Sequence, residues 1–117
     1  MDHIGGKYEP ADAGWKQVER DEARAVESQV LIPLEEGGRT QVAVTRIAPG
    51  GEYGAHVDEY SQVFCVMHGA GEGEVDTERI TLEPGVIMRT QAGEPHALRA
   101  AADKSLVVLT VNTYPAS

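Results

Sequence analysis

At 117 residues the chain has room for one domain around one core. Its formal net charge of −9, from 10 Lys+Arg against 19 Asp+Glu, argues against nucleic acid and anionic membrane as partners. The single cysteine, Cys65, excludes an intrachain disulfide, and no apolar stretch approaches the ~20 residues of a membrane-spanning helix.

Met1 to Asp12 contains Gly5, Gly6 and Pro10 and few apolar side chains, and reads as an arm. It lacks a basic segment followed by an apolar one, so no signal peptide is expected and the cytoplasm is the expected compartment. His3 falls in this arm, and Trp15 is expected to anchor it onto a sheet, in the same subunit or a partner. Val18 to Val26 is charged and reads as one or two helical turns. The expected division is therefore an arm over residues 1–27 and a single domain over 28–117.

Ser28 to Pro33 is apolar and extended in character, and Glu35 to Gly38 is a turn. Thr40 to Ala48 is rich in β-branched residues and reads as a strand that Pro49 to Gly51 breaks. Gln62 to Met67 is the next strand. Gly73 to Asp76 and Arg79 to Leu82 flank a hairpin at Asp76–Glu78, and Val86 to Thr90 is a short strand. Ala92 to Pro95 is a tight loop before a strand over His96 to Ala100, and Leu106 to Thr113 closes the chain. Short strands about 8–12 residues apart, separated by Gly and Pro, predict an all-β fold: a small antiparallel barrel or jelly roll.

His56, Asp58, Tyr60, Gln62, Phe64 and Val66 share one parity, so an extended chain points them to one face. Polar groups would then stand near an open end, with Phe64 and Val66 deeper, which is the layout of a ligand cavity. His96 follows a Gly-Pro loop at the start of another strand. Two histidines and one carboxylate with positions left open suit non-haem Fe(II), while imidazole also serves Zn, Ni, Cu and Mn. The same residues read equally as rim histidines satisfied by hydrogen bonds, a solvated Asp58 and a Gln62 bonded inside the barrel. Tyr60 and Phe64 are candidate substrate contacts, and Tyr53 could also line the cavity or pack. Cys65 is expected in the core and His68 at the surface. Arg46, Arg89 and Arg99 are expected to point outward toward surface acids.

The stretch PGGEYGAHVDEYSQVFCVMHGAGE resembles the first motif of the cupin family. Gly51, His56 and Gly69 occupy motif positions, with Asp58 where the family has a second His and Gln62 where it has Glu. LEPGVIMRTQAGEPHALRA resembles the second motif through Gly85, Gly93 and His96, with Gln91 at the proline and Ala100 at the final Asn. The resemblance spans about Thr40 to Asn112. It implies a divalent metal (Fe, Mn, Ni or Zn) with His56, Asp58, Gln62 and His96 as candidate ligands. The sets His56–Asp58–His96 and His56–Gln62–His96, and a site that has lost its metal, all stay open. It also implies a homodimer and a small organic molecule as substrate or ligand. Dioxygenase-like chemistry at a redox metal and isomerase or lyase chemistry at a Lewis acid are the expected activities. A non-catalytic sensor or binding module and an assembly role are the alternatives. No nucleophile–base pair such as Ser–His is evident.

Overall fold

The computed structural model describes residues 14–34 and 38–116. The expected arm over Met1 to Asp12, with His3, and most of the Glu35 to Gly38 turn lie outside the described residues. Nine strands follow in chain order: β1 Lys16–Gln17, β2 Ala23–Ile32, β3 Thr40–His56, β4 Ser61–Gly69, β5 Gly71–Val75, β6 Glu78–Leu82, β7 Ile87–Thr90, β8 His96–Ala100 and β9 Leu106–Thr113. They form one sheet in the order β6-β5-β8-β3-β9-β4-β7, with β2 on β3 and β1 on β2. Every pairing is antiparallel, and the sheet curls into a nearly closed barrel. The fold is the small all-β barrel or jelly roll that the spacing of turns predicts. Among the described residues no helix is long and apolar enough to cross a membrane.

Two local expectations change. Pro49–Gly51 does not end a strand, because β3 runs 17 residues through it. At about 3.3 Å per residue such a strand would reach about 56 Å, beyond the molecule's longest extent of 39 Å, so it must bend. The bend lies where pairing lapses: β3 pairs with β9 up to Ile47 and with β8 from Glu52. Gly50 sits at this corner with φ 74, a left-handed value glycine adopts at little cost. Its N–H donates to the Ala101 carbonyl at 2.8 Å.

The second change is at Val18 to Val26. From Ala23 onward this stretch is β2, not helical turns. Its charges serve strand pairing: Arg24 Nη2 donates to the Gly50 carbonyl at 2.9 Å, and Glu27 accepts from Arg46 Nε at 2.8 Å. Val26 between them is buried in the core. Tertiary pairing thus overrides a helix-compatible composition.

The core fills the barrel's inner side, with Ile47, Phe64, Val66, Leu98, Leu106 and Val108 among its members. Alternation in β4 buries Gln62, Phe64 and Val66 and leaves Val63 exposed. Cys65 falls on the other parity and is half-buried, so it is not the core residue its apolar neighbours suggest. A register shift between Val66 and His68 turns His68 to solvent. Gly69, with φ 87, lies so close to Ser105 that any Cβ there would collide with the Ser105 carbonyl oxygen. That close approach requires glycine at this position.

Candidate metal centre

His56 is the last residue of β3 and His96 the first of β8, and the register pairs them directly. Two residues far apart in sequence therefore meet across one antiparallel ladder, with ring centroids 4.3 Å apart. Each imidazole is anchored in the same way. His56 Nδ1 lies 2.7 Å from the Gly54 carbonyl oxygen and His96 Nδ1 lies 2.9 Å from that of Glu94. A carbonyl only accepts, so each Nδ1 carries the proton and donates it, and in the neutral ring each Nε2 keeps a bare lone pair.

Both Nε2 atoms face one oxygen. Asp58 Oδ2 is 3.4 Å from His56 Nε2 and 3.3 Å from His96 Nε2. The three side chains are only 4%, 2% and 7% exposed, in the order His56, His96, Asp58. His96 Nε2 is buried and makes no hydrogen bond. Three electron-pair donors thus converge in a dry place, with their ligand atoms all within 4.8 Å of one another. Such an arrangement is repulsive until a cation or added protons occupy its centre. Two imidazole nitrogens and one carboxylate oxygen are also a donor set that a divalent transition metal accepts. The chemistry and the orphaned nitrogen both fit a metal.

The other carboxylate oxygen is held separately. Arg20 Nη1 donates to Asp58 Oδ1 at 3.0 Å. Burial by itself pushes the Asp58 carboxyl up; hydrogen bonds at Oδ2 from His56 and His96, which form only when a proton occupies the centre, and the one at Oδ1 from Arg20 outweigh it and hold the group well below the usual carboxylate range. Tyr53 stacks on His56 with centroids 4.0 Å apart and planes at 17°, and Arg20 lies 5.6 Å over the Tyr53 ring. Burial raises the Tyr53 phenol, so it stays protonated.

The expected face is assembled from more than one strand. His56 ends β3, Asp58 and Tyr60 lie in the connection, and Gln62 and Phe64 belong to β4. All five nevertheless line one cavity of about 240 Å³. Tyr60 packs its ring on Tyr114 at 4.4 Å. Burial first, and then the Asp58 charge, keep its phenol protonated. Phe64 lies 5.8 Å from the His96 ring and forms part of the floor. Gln62 is tied elsewhere than to the histidines. Its Nε2 donates to Asn112 Oδ1 at 3.0 Å, and Asn112 Nδ2 donates to Gln41 Oε1 at 3.1 Å. A chain of carboxamides thus crosses β4, β9 and β3 along the cavity wall, and Gln62 Oε1 stays buried and unbonded. A larger depression of about 600 Å³ between the β5–β6 hairpin and β7 includes none of the three converging residues.

Arg20, Gln41 and Asn112 are site residues that sequence reasoning misses. Arg20 stands in a charged run with no periodicity to mark it as inward. Arg46 and Arg99 behave as outward residues, beside Glu27 and 3.7 Å from Glu72 respectively. Arg46 also stacks over Trp15 at 4.2 Å, so the tryptophan lies against the sheet of its own chain.

Comparison with solved structures shows the same architecture. The polyketide cyclase RemF from Streptomyces resistomycificus superposes with a TM-score of 0.80 at 18% identity, over 96% of this chain and 81% of that one. A cupin-2 domain protein from Rhodospirillum rubrum gives 0.80 at 17% identity, over 100% and 81%. A predicted oxalate decarboxylase from Thermotoga maritima gives 0.70 at 20% identity, over 77% and 81%. No curated protein matches the sequence. At these identities the likeness carries the fold alone. The sequence itself carries more, because the cupin domain model matches residues 43–112, more than half its length and both motif stretches, and the chain therefore belongs to the cupin family.

Proposed function

We propose that the chain is a metal-dependent enzyme acting on a small organic molecule, with His56, Asp58 and His96 as the protein ligands. One observation carries the reading: both Nδ1–H groups are spent on backbone carbonyls, which aims two bare Nε2 atoms at one carboxylate oxygen. A bound divalent ion would supply Lewis-acid polarisation of a substrate oxygen, or redox chemistry if it were iron. The chain's own residues do the rest. Gly54 and Glu94 fix the imidazole orientation. Arg20 occupies Asp58 Oδ1 and so presents Oδ2 to the histidines. Phe64, Leu98 and Tyr53 keep water from the imidazole cluster, and Tyr60 offers a protonated phenol to a bound molecule. Gln62 is proposed as a wall residue and not as a ligand, since its amide is bonded to Asn112.

The test is metal content. Protein purified without a histidine tag and without added metal should carry near-stoichiometric Fe, Mn, Ni or Zn by mass spectrometry, and His96→Ala should lose it. A second reading has its own support: Arg20 already neutralises Asp58, so a protonated imidazole could fill the centre without an ion. The barrel would then be a binding module. Metal-free protein that retains a co-purified small molecule would favour that reading and sink the first.

A further inference from the structure

We propose that Arg20 is the specificity-determining residue of this cavity, and that it selects a small carboxylic acid. The proposal deepens the metal-centre reading and rests on it. Among the residues that line the cavity, Arg20 is the one cationic side chain and Asp58 the one carboxylate. The remaining walls are neutral: amides from Gln41, Gln62 and Asn112, hydroxyls from Thr45 and Thr110, and apolar groups. Arg20 and Asp58 cancel each other. A divalent ion on neutral His56 and His96 therefore brings the lining residues to a net charge of about +2, offset in part by the partly exposed Glu22 at the rim. The imidazole end is buried, where uncompensated charge is costly. The whole chain carries −9, so the demand for an anion is local and runs against the field of the surface.

The guanidinium is placed to meet that anion. Asp58 bridges the two cationic elements, with Oδ2 toward the imidazoles and Oδ1 toward Arg20. Arg20 and the metal centre thus lie one carboxylate apart, and a second carboxylate on the ligand spans the same interval. An arginine carries five N–H donors in a planar fork. Asp58 takes Nη1, while Glu22 lies 3.8 Å from Nε, too far for a hydrogen bond. The Tyr53 hydroxyl also accepts from the guanidinium, which leaves the remaining donors of the fork for a ligand. The Tyr53 ring beneath the fork limits its freedom, so little order is lost on binding. The cavity of about 240 Å³ is smaller than the roughly 300–1,000 Å³ of sites for drug-sized ligands, which favours a small acid.

The experiment uses Mn²⁺ as the ion and glycolate and its neutral counterpart glycolamide as probes, titrated by calorimetry. The wild type should prefer glycolate. Arg20→Gln should weaken glycolate by about 10–100-fold, the effect of one charge-assisted hydrogen bond, and leave glycolamide within about threefold. Arg20→Lys should recover part of the loss. Because Arg20 also anchors the ligand Asp58, wild type and Arg20→Gln are first loaded with Mn²⁺ to equal content, checked by mass spectrometry. Equal glycolate affinity in the two proteins at equal metal content overturns the proposal, as does a wild type that binds both probes alike. A wild type that takes up none of Mn, Fe, Ni or Zn instead removes the metal reading. In that protein, glycolate binding that Arg20→Gln abolishes keeps the specificity role, and absence of such binding ends it.

Discussion

The floor of the barrel and its mouth are built on the same strands, yet they obey opposite energetics. Down the inner side of β9 the order is Asn112, Thr110, Val108, Leu106; along β8 it is His96, Leu98, Ala100. In β4 it is Gln62, Phe64, Val66. The floor residues are apolar and buried, and each Leu, Val or Phe among them contributes about 1.5–3 kcal/mol by leaving water. At the mouth the strands bury imidazoles, a carboxylate and amides, which cost free energy unless paired. Depth along a strand, and not the identity of the strand, separates stability from chemistry. Truncations at the floor should therefore unfold the protein, and truncations at the mouth should mainly change what it binds.

The largest effect belongs to the floor. Leu106 is fully buried in the cluster with Val108 and Ile47. Leu106→Ala should cost about 2–5 kcal/mol in urea unfolding, through lost burial and the cavity left behind. Folded Leu106→Ala protein should still take up metal. A loss under about 1 kcal/mol would show that the floor is not the stabilising region.

Next comes the ion. If the mouth holds a metal only when folded, a free ion at a hundred times its dissociation constant should stabilise the wild type by about 2.7 kcal/mol. His96→Ala should abolish that increment. Without metal, the same substitution should lose less stability than Leu106→Ala does, because it also removes a buried, unbonded nitrogen. A metal-free His96→Ala that unfolds as readily as the floor variant would erase the contrast between the two regions.

The third effect is acid sensitivity of the metal-free protein. Burial raises the Asp58 carboxyl, but hydrogen bonds from the imidazole pair, once a proton fills the metal-free centre, and from Arg20 outweigh it and depress the group below the ordinary 3.8. A depressed acid stabilises the fold at pH values above its unfolded pKa. That contribution fades as pH falls below about 4 toward the folded value. Stability of the wild type should therefore drop more steeply between about pH 5 and 2 than that of Asp58→Asn. Parallel pH profiles for the two proteins would mean that the carboxylate gains nothing from its partners.

This division of labour was only partly visible in the chain. Strands β8 and β9 were legible to the residue, since Pro95 marks the start of one and the polar loop before Leu106 marks the start of the other. The pairing of His56 with His96 followed from motif resemblance, not from periodicity. Pro49–Gly51 misleads because local rules equate such a triplet with reversal. Here the chain keeps its direction and the triplet makes a corner where no partner needs the proline's missing N–H. Arg20 was illegible for a different reason. Its turn to the cavity rim, where it stays 39% exposed, depends on Asp58 and Tyr53, residues near and beyond the end of β3, and nothing in ERDEARA encodes those partners.

The smallest effect tests the corner itself, which lies outside both regions and should disturb neither. Ala25 faces the bend in β3, where pairing jumps from Val26–Ile47 to Arg24–Glu52, and it holds φ 60. A left-handed alanine costs about 1–2 kcal/mol, whereas glycine adopts that φ freely but gives up about 0.5–1 kcal/mol in chain entropy. The balance makes Ala25→Gly stabilising by about 0.5 kcal/mol. The reverse exchange at Gly50, whose φ is 74 with open space around it, should by the same balance destabilise by about 0.5 kcal/mol. Urea unfolding of the two variants measures both signs, and metal uptake should be unchanged in each. If Ala25→Gly were instead destabilising, the left-handed backbone at Ala25 would carry no strain for glycine to relieve, and the entropy cost of glycine would decide the sign.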